Sequence, residues 1–117
     1  MDNVIDLPVR AGGVRPPAQV AFDRLELSHI MHVYGRYVSA GLWRDYAIAV
    51  ERDQARFAAY ERASDKPDVQ IMKTPALARK QGAYALVGRQ GTVLKRGHDL
   101  KSLLSVLERK LLKLVDD

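Results

Sequence analysis

Eight cations crowd into residues 66–101 (Lys66, Lys73, Arg79, Lys80, Arg89, Lys95, Arg96 and Lys101), opposed there only by Asp68 and Asp99. Residues 1–65 hold eight arginines against nine acids, and residues 102–117 three cations against three acids, so the whole net charge of +5 originates in this stretch. Clustered lysine and arginine are the side chains that contact phosphates, and a cluster of this kind implies an anion-facing surface. The residues expected to form it are Lys73, Arg79, Lys80, Lys95, Arg96 and His98. Lys95 and Arg96 end a candidate strand, Gly97 and His98 follow, and Arg79-Lys80 lie on the preceding loop. These groups converge if the strand leads into the start of the last helix, where free N–H groups also favour an anion. Asp99, placed to cap that helix, competes for the same N–H groups. Tyr84 is the one aromatic within the cluster, so base stacking adds little. The expected ligand is a nucleic acid or another polyanion, held through phosphate contacts.

Other chemistries find less support. His29 and His32 stand three apart on a helical stretch, a spacing that suits a metal. Arg36 shares their face, however, and no acid follows at a useful spacing, so no metal site is expected. The chain has no cysteine, which excludes disulfides, thiolate metal sites and a cysteine nucleophile. It contains no G-x-S-x-G, P-loop or H-E-x-x-H pattern. His98-Asp99 has no accompanying nucleophile, and Ser28, Ser39, Ser102 and Thr92 have no distinguishing context. Asp45, Glu51, Asp53 and Glu61 fall where hairpins carry solvated charge. The reading is a binding protein without cofactor, not an enzyme. A rival use of the chain is pairing with a protein partner or a second copy through the terminal helix, where Leu100, Leu107 and Leu114 recur every seven residues.

The elements that must position these residues follow from periodicity. Leu27, Ile30, Met31, Tyr34, Tyr37 and Val38 keep a helical period over 24–40, with Asp23 and Glu26 spaced as a capping box and Gly41 as the stop. The period then becomes two: 44–51 and 55–62 read as strands joined by a polar turn, although their alanines also permit one helix over 44–62. Residues 69–73 form a third strand, Thr74-Pro75 starts a short helix over 75–80, and 83–87 with 92–96 make a hairpin whose Gly88 and Gly91 supply positive φ. Asp99 caps a final helix with Leu100, Leu103, Leu104, Leu107, Leu111 and Leu114 on one stripe.

The expected fold is therefore α+β in two layers: a helix, an antiparallel β-meander of four to five strands, and a C-terminal helix. Residues 22–117 make one domain. Residues 1–21, broken by Gly12-Gly13 and Pro16-Pro17, read as a flexible tail, or else as an arm that docks with Ile5 and Leu7 on one strand face. No basic n-region with an apolar run opens the chain, and no stretch reaches the ~18–20 apolar residues of a membrane span. A cytoplasmic protein with no membrane contact is the expectation.

The segments Tyr34-Gly35-Arg36, Trp43-Arg44-Asp45-Tyr46-Ala47, Pro75 through Ala83 and Leu94 through Leu100 resemble a small bacterial family known only as a conserved domain of unknown function. The resemblance spans Phe22 to about Leu107. It implies a compact cytoplasmic protein and assigns no activity, cofactor or site residue. The element order is also similar to that of double-stranded-RNA-binding domains, which have three strands where this chain calls for at least four.

Overall fold

A computed structural model of the chain describes residues 19–62 and 66–115. Helix α1 (Arg24–Ser39) begins where the sequence demands a cap: Asp23 Oδ1 accepts from the Glu26 N–H at 2.8 Å, and Glu26 Oε1 accepts from the Asp23 N–H at 2.8 Å. This reciprocal pair satisfies two of the donors that a helix start leaves open. The helix ends at Gly41, whose φ of 78° lies in the left-handed region open to glycine.

Five strands follow: β1 (Asp45–Val50), β2 (Ala55–Tyr60), β3 (Val69–Lys73), β4 (Tyr84–Gly88) and β5 (Val93–Gly97). They form one antiparallel sheet in the order β1-β2-β3-β4-β5. A 3₁₀ turn at Pro75–Leu77 stands between β3 and β4, and α2 (Leu100–Val115) closes the chain. Residues 44–62 are thus a hairpin and not a helix, and the sheet has two more strands than the double-stranded-RNA-binding arrangement.

Directly opposed residues share a sheet face, so the register defines the layers. Phe57, Ile71 and Leu86 line up on the face that carries both helices and are buried to 2% exposure or less. Tyr34 of α1 meets Phe57 and Tyr46 edge-on, while α2 lies over β4 and β5 and against α1. Trp43 stacks on Tyr37 with centroids 3.9 Å apart, and its Nε1 donates to Asp68 Oδ2 at 2.8 Å.

Three details differ from the expectation. The buried line of α1 is Glu26, Ile30, Val33 and Tyr37, whereas Val38 is exposed. The helix is rotated so that it meets α2 as well as the sheet, which brings Val33 inward. On α2, Leu100, Leu103, Leu104, Leu107 and Leu111 are buried but Leu114 is half exposed. Of the two hairpin glycines only Gly91 has positive φ, and Gly88 instead gives Leu94 room, with a methyl 3.4 Å from where a Cβ would stand. The tail expected at 1–21 lies, apart from its last three residues, outside the described residues. Val20 already joins the sheet, its N–H donating to the Glu51 carbonyl at 2.7 Å.

Candidate anion-binding site

Antiparallel connectivity sorts the basic segment to two ends of the sheet. At one end, Arg89 Nη2 lies 2.9 Å from Glu61 and 3.7 Å from Asp68. At the other end the C-termini of β3 and β5 and the N-terminus of β4 come together, as Lys73↔Tyr84 and Tyr84↔Gly97 pairing requires. Five of the six expected residues sit at or just beyond that end, and Lys95 lies two residues back along β5.

Lys73 is spent within the fold. Its Nζ lies 2.7 Å from Glu26 Oε1 and donates to the Ala21 carbonyl at 2.9 Å. Tyr84 hydroxyl donates to the other Glu26 oxygen in a short hydrogen bond. Glu26 is only 8% exposed. Burial by itself would raise its carboxyl, but hydrogen bonds from Lys73, Tyr84 and the Asp23 backbone outweigh it and hold the group below the ordinary carboxylate value. The Tyr84 phenol is pushed upward by burial and by the Glu26 charge it faces. This Glu26–Lys73–Tyr84 cluster ties the start of α1 to β3 and β4. The sequence does not reveal it, because Glu26 reads there as a cap residue alone and nothing local links it to residues 47 and 58 positions away.

Arg79 and Lys80 are exposed on the turn that returns to β4. That turn is closed by three N–H groups, those of Lys80, Gln81 and Gly82, on the single carbonyl of Leu77. Gly82 has φ of 101°, and a Cβ built on it would overlap the carbonyl carbon and oxygen of Gly97 and lie 2.8 Å from its Cα. Only glycine permits this approach. It presses the Arg79-Lys80 turn against the end of β5, directly before His98 and α2. At the α2 start Asp99 Oδ1 accepts from the Lys101 N–H at 3.1 Å and Ser102 Oγ donates to Asp99 Oδ2 at 3.2 Å. Asp99 thus acts as the cap, and Lys101 is exposed beside it.

Lys95 and Arg96 do not act as a pair. Lys95 stands opposite Leu86, on the helix-bearing side, and Arg96 opposite Ala85, on the other face. Neighbouring strand residues point to opposite faces, so only one of the two can join a given patch. Among the described residues none of Arg79, Lys80, Lys95, Arg96 and Lys101 forms an ion pair. The uncommitted set taken at this end is Arg79, Lys80, Arg96, His98 and Lys101; relative to the expectation Lys101 is added and Lys73 and Lys95 drop out.

A model of one protein family, described as a protein of unknown function (DUF2794), matches residues 20–104. The chain belongs to that family. The match opens at Val20, the residue bridged to Glu51, and takes in all five strands and every residue of the candidate site. It stops within α2, leaving the buried Leu107 and Leu111 beyond it. Neither the curated proteins nor the solved structures contain a match to the chain.

The remaining candidates are placed as follows. Among the described residues no group of three or more His, Asp or Glu is arranged to hold a metal, and no helix is long and apolar enough to cross a membrane. His32 lines an open groove between α1 and α2 with Arg36, Leu111 and Val115, and Arg36 pairs with Glu108 at 3.1 Å across it. Leu100 and Leu107, proposed for a dimer seam, are 6% and 1% exposed and belong to the core. Tyr37, whose hydroxyl donates to the Leu107 carbonyl at 2.7 Å, is pushed up to about 12 by burial and by the Asp68 charge.

Proposed function

We propose that the domain binds a polyanion, with nucleic acid as the leading candidate, by phosphate contacts at the sheet end built from the 78–82 turn and residues 96–101. It acts by binding and not by turnover, in the cytoplasm. The observation that carries this reading is the Gly82–Gly97 backbone approach, which joins the turn bearing Arg79 and Lys80 to the end of β5 ahead of His98 and Lys101. Cations left without acidic partners are the ones free to exchange small counterions for phosphates, and that exchange is the main source of affinity for a nucleic acid. The absence of aromatic side chains from this set favours backbone contact over base stacking.

The test is fluorescence anisotropy with labelled duplex and single-stranded RNA and DNA over a salt series. Four phosphate contacts give a slope of roughly −3 to −4 in log K against log salt, and Arg79→Glu with Lys80→Glu reduces it by about two. No binding of any of these probes at about 50 mM salt removes the reading. A second reading, capture of a protein partner by the end of α2, is favoured by Leu112, Leu114 and Val115, which stay 50–53% exposed. Charge reversal at Arg79 and Lys80 leaves that activity intact, and this separates the two.

A further inference from the structure

The two edges of the sheet are treated differently. An unpaired strand edge invites another strand, and proteins guard against this with charges, bulges or covering segments. β5 is guarded: it carries Lys95 and Arg96, and a register shift interrupts its pairing at Leu86/Val87. β1, with the sequence Asp45-Tyr46-Ala47-Ile48-Ala49-Val50, has no lysine, no arginine, no proline and no bulge. Among the described residues it is stopped at its ends. Asp45 Oδ1 takes the Tyr46 N–H at 2.8 Å, and Val20 occupies the Glu51 carbonyl.

Between those stops no other described residue pairs with the edge. The Glu51 N–H turns toward Gln54 in the hairpin, so by strand alternation residues 49, 47 and 45 bond to β2 and residue 48 faces outward. Its side chain belongs to an apolar shoulder. The two helices leave β1 partly uncovered. Tyr46, Ile48 and Val50 keep 41–43% of their surface exposed on the helix-bearing side.

We propose that β1 pairs antiparallel with β1 of a second copy of this chain, joining two five-stranded sheets into one of ten. A strand edge of this kind is its own complement under a two-fold axis perpendicular to the sheet. That axis keeps both helix layers on the same side, so residues of like face must oppose each other. Charge and the end stops then select the register. Ile48 on Ile48 would set Asp45 against Glu51, two like charges, where Val20 already sits. Ala47 on Ala47 sets Tyr46 against Ile48 twice, opposes no like charges and leaves Val20 in place. With each Tyr46 N–H held by Asp45, the backbone bonds it offers are the two from Ile48 N–H to the Tyr46 carbonyl of the other copy. The three half-exposed apolar side chains of β1 offer roughly 200 Å² per copy, taking a tyrosine as about 200 Å². This is below the ~800 Å² per partner of a standard interface, so the dimer is weak and depends on concentration.

Sedimentation equilibrium of the full chain from about 1 μM to about 1 mM, the range for weak association, tests this directly. The wild type is expected to pass from monomer to dimer, Ile48→Lys to stay monomeric, and Leu114→Glu to behave as the wild type. A wild type that stays monomeric throughout, an I48K variant that dimerises normally, or an L114E variant that does not, each overturns it. Should Ile48→Lys disturb folding, amide exchange on the wild type decides: the Ile48 N–H slows with rising concentration if the edges pair, and an unchanged rate refutes the pairing.

Discussion

Replacing Lys73 by Met removes one charge from the cluster at the start of α1 and leaves Glu26 buried without its cation. Truncating one partner of a buried ion pair costs about 3–5 kcal/mol, most of it the penalty of the charge left behind. Here the side chains of Lys73 and Glu26 keep 18% and 11% of their surface exposed, and Glu26 retains the Tyr84 hydroxyl and the Asp23 N–H. These place the loss lower, at about 2–3 kcal/mol at pH 7, a large share of the ~5–15 kcal/mol typical of a domain. The pH dependence distinguishes this cause from lost packing. In the wild type the Glu26 carboxyl is held below its ordinary value of 4.5. Its contribution is therefore complete above that value and is lost as pH falls through the depressed one. In K73M burial is less opposed and the carboxyl rises, so protonation relieves the variant first. Urea titrations should show the gap between wild type and K73M shrinking from pH 7 to pH 4. Adding Glu26→Gln to K73M should recover part of the loss. A gap below about 0.5 kcal/mol at pH 7, or one equal at both pH values, would refute the charge argument.

Two glycine substitutions should act in opposite directions. Gly82→Ala forces a Cβ into Gly97 at a φ of 101°, so a loss of more than about 2 kcal/mol is expected by thermal denaturation, and weakened polyanion binding with it. Gly35→Ala meets nothing within 4 Å on a helix face and should stabilise by up to about 1 kcal/mol. Tyr37→Phe removes the buried bond to the Leu107 carbonyl at a cost of about 1 kcal/mol. In alkaline absorbance titrations it should delete the phenol that ionises only near pH 12.

Local signals carried most of the fold. The capping box at Asp23 and Glu26, Gly41 as a stop, and the switch from a helical to a twofold period at Arg44 located the elements because each is written within a few residues. The hairpin of 44–62 was harder, since alanine serves both periods. It was decided by pairing between strands, in which Phe57 meets Ile48 on one side and Ile71 on the other. The basic segment was legible as composition but not as a surface. Strand alternation separates Lys95 from Arg96, antiparallel return sends Arg89 to the far end, and Lys73 is consumed by a carboxylate in another element.

From the sequence by itself came the class of fold, the order of its elements, and the region holding the net positive charge, because periodicity, caps and composition are local properties. Tertiary structure alone decided which cations remain uncommitted, that Leu100 and Leu107 serve the core, and that the helices leave β1 partly uncovered. Each of these depends on which distant residue lies opposite, and neighbours in sequence carry no information about that.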